Sequence, residues 1–219
     1  MDTFLSTYNH ANGYSNGTIK LTCGNTVTIQ DGTYNAQWMI AGFDVEHNQV
    51  AADGTIYDNG YGIALVPVTQ LTTGKWNTSN IVTGGYKSSY MHNTTMPTVA
   101  TNLQKVLGSH LVQRNVLLSS SVSSSKSNAY TWTTAYCTLM SIGQMNGTFA
   151  SNSNKYDDGE ADYKLPVFDK TEFKTGSYFW SRGVSDYSGA WYVNTNGDIS
   201  GGQYDVSYSF GVRPLIYIR

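Results

Sequence analysis

Charge is scarce in this chain. Asp, Glu, Lys and Arg make up 13% of the 219 residues, and the formal net charge is −2. Nucleic acid asks for a basic face and an anionic bilayer for a polybasic segment, so neither is an expected partner. Long apolar runs are missing, which leaves nothing to cross a bilayer as a helix and no expected membrane insertion. Met1-Asp2-Thr3-Phe4-Leu5 lacks the basic start of an export signal. Cysteine occurs twice, at Cys23 and Cys137. A bridge between them is conceivable, but without an export signal two buried free thiols are the preferred reading. The histidines, His10, His47, His92 and His110, have no metal-ligand spacing. The Ser-rich run 119–125 has no nucleophile-elbow glycines, and the chain is read as non-catalytic, without cofactor or metal. A triad dispersed along the chain would be visible only in its geometry.

What the chain has in abundance is tyrosine, at 17 residues, and glycine, at 22. A single domain of this length buries about 70% of its extended-chain surface, so it needs neither metal nor disulfide. Residues 1–30 are expected as an N-terminal arm or extra strands, and 31–219 as one domain. Asn12-Gly13 and Asn16-Gly17 mark turns in the arm, which is a candidate for exchange with a neighbouring subunit. Thr18–Gln30 reads as two short strands, Tyr34–Phe43 as a strand, and 44–60 as an acidic, turn-rich loop. Tyr61–Val68 reads as a buried strand. Pro97–Leu107 is the clearest helix, with an apolar stripe of Val99, Leu103, Val106 and Leu107 before Gly108. A second, shorter helix is expected over Tyr86–His92, and an extended segment over His110–Leu118. Ser119–Asn128 is Ser-rich and reads as an exposed loop. Asn152–Tyr163 is a second acidic loop, whose 157–162 stretch carries oxygen ligands of the kind calcium takes but no known loop spacing. Short strands, long loops and one or two helices give an α+β domain.

The segment Ser177–Arg219 concentrates the remaining signals. Asn196-Gly197 predicts a type I′ hairpin joining Ala190–Thr195 to Asp198–Ser200. Tyr204, Val206, Tyr208 and Phe210 alternate with polar residues, as in a half-buried strand. Val212–Ile218 reads as a buried strand whose Pro214 must lie at its start or at an edge. The order Trp180-Ser181-Arg182, Ala190-Trp191-Tyr192-Val193, Asn196-Gly197, Gly211-Val212-Arg213-Pro214 resembles the C-terminal signature of a bacterial and phage domain family without assigned function. Upstream, Gln37–Gly42, Gly84-Gly85-Tyr86 with Ser89, and Leu139-Met140-Ser141 resemble that family's earlier motifs. The resemblance spans about residues 33 to 219. It implies a C-type-lectin-like fold, related to that of formylglycine-generating enzymes. Those oxidases use cysteines in the C-terminal part of the fold, where this chain has none. The calcium tripeptides Glu-Pro-Asn and Gln-Pro-Asp are absent, and Thr78 replaces the aspartate after Trp76-Asn77, so calcium-dependent sugar binding is not expected. The resemblance further implies that Trp180, Trp191, Arg182 and Arg213 shape the fold. Arg213 on an apolar strand needs a partner, for which Asp169 or Glu172 is expected.

Tyrosine set among Ser, Gly and Asn is the composition antibodies use for contact, because it offers rigid area at low entropic cost. In phage tail-tip relatives of the C-type-lectin fold the C-terminal region carries recognition. The candidate contact residues are therefore Tyr178, Asp186, Tyr187, Tyr192, Asn194, Asn196, Asp198, Tyr204 and Tyr208. The expected function is that of a virion protein attaching to a glycan or protein on a Gram-positive bacterial surface. Other virion proteins are expected partners, and the expected assembly is a homotrimer. The alternative is a purely structural virion component, a capsid decoration or baseplate subunit whose tyrosines bury in subunit contacts.

Overall fold

The computed structural model describes residues 1–51, 54–123, 126–147, 164–170, 174–185 and 188–219, without the side chains of 126–128. The acidic stretch 157–162, Glu172, and the candidate contacts Asp186 and Tyr187 lie outside the described residues. The fold is mixed α+β, and its strands pair mostly antiparallel. In chain order the elements are α1 (Asp2–Thr7), β1 (Thr26–Ile29), β2 (Ala36–Phe43), β3 (Gln49–Val50), β4 (Ile56–Tyr57), β5 (Ile63–Pro67) and β6 (Thr72–Lys75). They continue with α2 (Met96–Leu107), β7 (Arg114–Ser123), β8 (Lys126–Ala135), β9 (Cys137–Leu139), α3 (Ile142–Asn146), β10 (Phe179–Val184), β11 (Ala190–Val193), β12 (Ile199–Ser200), β13 (Ser209–Val212) and β14 (Pro214–Ile218).

One sheet runs β1-β2-β5-β14-β9, the other β12-β11-β10-β13-β6. Every pairing in the first is antiparallel; in the second, β10 and β13 run parallel. Strand β14 is buried along its whole length between β5 and β9, which suits its unbroken Leu-Ile-Tyr-Ile run. Pro214 opens it, where a missing N–H costs least. Arg213 just before it is 2% exposed. Its Nε and Nη2 donate to the Pro67 carbonyl at 3.2 and 2.9 Å, and its guanidinium lies 4.7 Å from the Phe179 ring centre. Burial lowers its pKa to about 10. Asp169, expected beside it, pairs instead with Lys164 at 2.8 Å.

The helix expected over 97–107 forms as α2 and buries Val99, Ala100, Leu103 and Leu107, while Val106 points out at 45% exposure. The shorter one splits into a 3₁₀ turn at Tyr86–Ser88 and a π-helical turn at Met91–Thr95. Both thiols are free, and Cys137 is buried with its Sγ donating to the Met96 carbonyl.

Two expectations are corrected. Within 119–128, residues 119–123 and 126–128 are strand and not loop: β7 and β8 pair from Arg114↔Ala135 to Ser123↔Lys126 in a long hairpin. Ser119 is fully buried there, its Oγ accepting from the Tyr86 N–H at 3.0 Å. The segment 1–18 is not a loose arm. Helix α1 packs on the sheet through Leu5, and Tyr14 is 7% exposed within the same core. Within the acidic segment 44–60, Glu46 is fully buried and ion-paired with the buried Arg114 of β7. Asn59 reinforces the pair, donating to Glu46 at 2.8 Å and to the Asn115 carbonyl at 3.0 Å.

Candidate functional site

Strands β10 and β11 set Trp180 opposite Tyr192, so both side chains rise from one sheet face and meet edge to face at 6.2 Å. Trp180 is fully buried and donates its indole N–H to the Gly74 carbonyl at 3.0 Å. Above this base lie Tyr178, Tyr204 and Phe210. Tyr178 sits 5.9 Å from Tyr204 and 5.1 Å from Phe210, and Tyr204 lies 5.0 Å from Phe210. Tyr208 continues the row, 5.5 Å from Tyr204 and 53% exposed. The aromatic column thus passes from core to solvent in contact steps. The Tyr204 hydroxyl next to Tyr178 raises the Tyr178 pKa, which keeps that phenol protonated.

A polar network fixes the same segment. Asp205 accepts from Asn80 Nδ2 at 2.6 Å and from Ser188 Oγ at 3.0 Å, and Ser207 Oγ donates to Asn80 Oδ1 at 2.6 Å. The backbone is clamped as well: Val206 N–H donates to the Ser188 carbonyl at 2.8 Å, and its carbonyl accepts from Asn77 N–H at 2.9 Å. Of the expected alternation over 204–210 only Ser209 and Phe210 fall in a strand, β13; these clamps hold 204–208 in bends and turns with one isolated bridge, Gly189↔Asp205. A carboxylate, an amide and a hydroxyl therefore stand at fixed positions beside exposed aromatic rings. Asp205 keeps acceptor capacity beyond its two donors, since a carboxylate offers about four lone-pair sites.

Of the expected contact residues, Tyr178, Tyr204 and Tyr208 come together in this cluster. Tyr192 is corrected to a core residue: it is 1% exposed and its hydroxyl donates to Gln203 Oε1 at 2.9 Å. Asn194, Asn196 and Asp198 lie on the turn between β11 and β12. Asn194 Oδ1 accepts from the N–H of Asn196 at 2.9 Å and of Asp198 at 3.0 Å, and its Nδ2 faces Asp198 Oδ2 at 3.2 Å. Asn194 and Asp198 are thus engaged in shaping the turn. It is not the expected type I′, since within it only Gly197 has positive φ (87°); Asn194 and Asp198 pair around a three-residue loop. Trp191, expected in the core, is only partly buried and covers Gly201, where an added Cβ would stand 2.8 Å from its ring. The contributions of Asn80 and Ser188 had no sequence signal, as Asn80 meets Asp205 across 125 positions.

A second constellation also joins distant residues. His10 Nδ1 lies 2.7 Å from Asp44 Oδ2, and Tyr14 donates its hydroxyl to the other oxygen of Asp44. The Gly62 N–H donates to that second oxygen at 2.9 Å. His10 stacks on Tyr61 at 3.5 Å with 14° between planes; His47 contacts the same ring at 4.2 Å and holds Asp58 at 3.0 Å. Tyr14 and Asp44 both take left-handed φ, 59° and 56°, a conformation maintained only against strain. Burial and the Asp44 charge raise the Tyr14 pKa. Asp44 fixes the ring of His10, but no Ser or Cys side chain among the described residues hydrogen-bonds to that histidine. Nor do the described residues contain a group of three or more His, Cys, Asp or Glu placed to hold a metal ion, or a helix long and apolar enough to cross a membrane. Comparison with known proteins finds no matching family model, no matching curated protein and no matching solved structure.

Proposed function

We propose that this chain is a non-catalytic attachment protein of a phage or prophage virion, with a C-type-lectin-like fold, that binds a glycan on the surface of a Gram-positive bacterium. One observation carries the reading: the exposed end of the aromatic column, Tyr204 and Tyr208, stands beside the fixed polar set Asn80–Asp205–Ser207. A sugar ring offers an apolar face to an aromatic ring and hydroxyls to a carboxylate or amide, and this surface presents both partners at once. Low charge supports it too, because recognition of a neutral glycan needs shape and hydrogen bonds, not steering. Single glycan contacts are weak, so the protein gains avidity as a homotrimer held by other virion proteins.

The structural-component alternative has its own support in the β3–β4 hairpin, where Val50 and Ile56 pair across strands at 48% and 73% exposure. The two readings separate experimentally. Labelled protein is titrated onto intact Gram-positive cells with soluble wall glycan as competitor. Saturable, competed binding is expected, and Tyr208→Ala weakens it about tenfold without changing Tm, as truncating a contact anchor costs at least ~1.4 kcal/mol. Unsaturable adsorption, or wild-type affinity in Tyr208→Ala, overturns the attachment reading. If Tyr208→Ala instead changes the solution mass, the tyrosines belong to a subunit contact.

A further inference from the structure

Between α1, the 3₁₀ turn at His10–Asn12 and the ends of β5 and β14 lies a cavity of about 370 Å³, remote in sequence from the C-terminal aromatic surface. That volume falls within the range of small-molecule sites, ~300–1,000 Å³. Its walls are Leu5, Tyr8, Ile63 and Ile218, and Tyr61 and His10 close one side as a stacked pair. No side-chain carboxylate lines it. The aspartates nearby are each engaged elsewhere: Asp44 with His10, Asp58 with His47, and Asp2 with His110. Arg219 lines the opening, and its guanidinium makes one long contact, Nη1 to the Asn59 carbonyl at 3.4 Å, with no ion-pair partner among the described residues. An apolar chamber lined by one guanidinium that has no side-chain ion pair among the described residues has a definite complement.

We propose that this cavity binds a small organic anion with a flat apolar body, an aromatic carboxylate. The ring enters between Leu5, Tyr8 and Ile63, where its burial supplies the attraction. The carboxylate stays at the mouth, on the Arg219 guanidinium, which matches it in planar geometry and charge. His10 contributes as wall, its ring stacked on Tyr61. Binding there also draws α1 onto the sheet, because Leu5 and Tyr8 belong to the wall and to the helix or its C-cap.

The test uses three probes of one shape: 2-naphthoate, its neutral carboxamide and the cationic 2-naphthylmethylammonium. Each is titrated calorimetrically into the full chain. Naphthoate is expected to bind one site with Kd on the order of 0.1–1 mM, as suits a fragment of this size. The amide and the cation bind at least about tenfold more weakly, and Arg219→Gln removes the preference for the anion. Ala11→Trp, an exposed lining position where the new ring fills the space, abolishes binding with Tm unchanged. Equal affinity for the three probes, absence of saturable binding, or wild-type binding in Ala11→Trp overturns the proposal. None of these outcomes touches cell attachment through Tyr208, so the two readings fail separately.

Discussion

His92 is the side chain whose environment most directly sets a pH dependence. Burial, reinforced by Lys87 and Arg182, lowers its pKa to about 4, and its Nδ1 has no hydrogen-bond partner among the described residues. The unfolded chain takes up that proton near pH 6.5, whereas the folded chain resists it. Stability from this residue is therefore complete above about pH 6.5 and is lost as pH falls toward 4. The paired His110 acts in the other direction: Asp2 raises its pKa, so its contribution is constant below pH 6.5 and fades only as pH rises through the folded value. Asp2, held low by His110, and Asp58, held low by the Gly60 N–H and His47, lose their contributions from the ordinary carboxylate range downward, below about pH 5. The interval from about 6.5 to 5 thus reports on His92. Thermal melts across it should show a falling Tm that is markedly flatter in His92→Gln, and parallel slopes would refute the assignment. Tryptophans divide by the same logic of environment. Trp180→Ala removes a fully buried ring and its hydrogen bond to Gly74 and should cost ~3–5 kcal/mol in denaturant melts. Trp191→Ala removes a partly exposed ring and should cost less than half as much.

At the scale of elements, the hairpin β7–β8 and the glycine segment before it depend on one close approach. Gly85 has φ of +59°, and a Cβ there would stand 2.4 Å from the Ser119 carbonyl oxygen. The backbone of 85–86 can then reach β7, where Tyr86 N–H meets Ser119 Oγ and the Tyr86 hydroxyl accepts from Leu139 N–H at 3.0 Å. Gly85→Ala should therefore destabilise by more than ~2 kcal/mol, combining left-handed strain with a backbone clash. A loss below ~0.5 kcal/mol in urea melts would show that the hairpin does not rest there. This contact explains which elements could be read in advance. Helix α2, strand β5 and strand β14 carry their own signals, an apolar stripe ended by glycine or an unbroken apolar run, and these are local. The β7–β8 hairpin is Ser-rich and looks like a loop, because its stability comes from a long antiparallel ladder and from Gly85, not from residue preference. The candidate site divides in the same way. Tyr204 and Tyr208 were legible from composition and alternation, whereas the Asn80–Asp205 contact and the His10–Asp44 pair exist only after folding. The Asn196-Gly197 dipeptide marked the turn, but Asn194 and Asp198 set its type by pairing around three residues.

For the whole molecule, the consequential facts are how residues 1–30 pack and where apolar side chains remain outside. Leu5, Tyr14 and Ile29 enter the main core, and β1 is the edge strand of the first sheet, so this segment is part of the protein's own body. Deleting 1–30 should unfold or severely destabilise the chain, and it cannot serve as a clean test of assembly. The β3–β4 hairpin can. Its cross-strand pair of Val50 and Ile56 is exposed although Tyr57 beside it is buried against Leu117 of β7, so the outward face alone is without cover. A threefold assembly that buries three such hairpins removes the most exposed large apolar residue of the described chain, Ile56 at 73%. Light scattering at micromolar concentration is expected to give the mass of a trimer. In the double variant Val50→Lys, Ile56→Lys it should fall to that of a monomer, because the two lysines that each subunit adds cannot be buried without anionic partners, while Tm changes little at two solvent-facing positions. A wild-type monomer would refute self-assembly in isolation. A trimer that survives both lysines would move the contact off this hairpin and onto another exposed apolar face, of which Ile81 and Tyr208, on segments joined through Asn80, form the next candidate. That outcome would set the trimer interface in competition with the glycan surface, and cell binding by monomer and trimer would then have to differ.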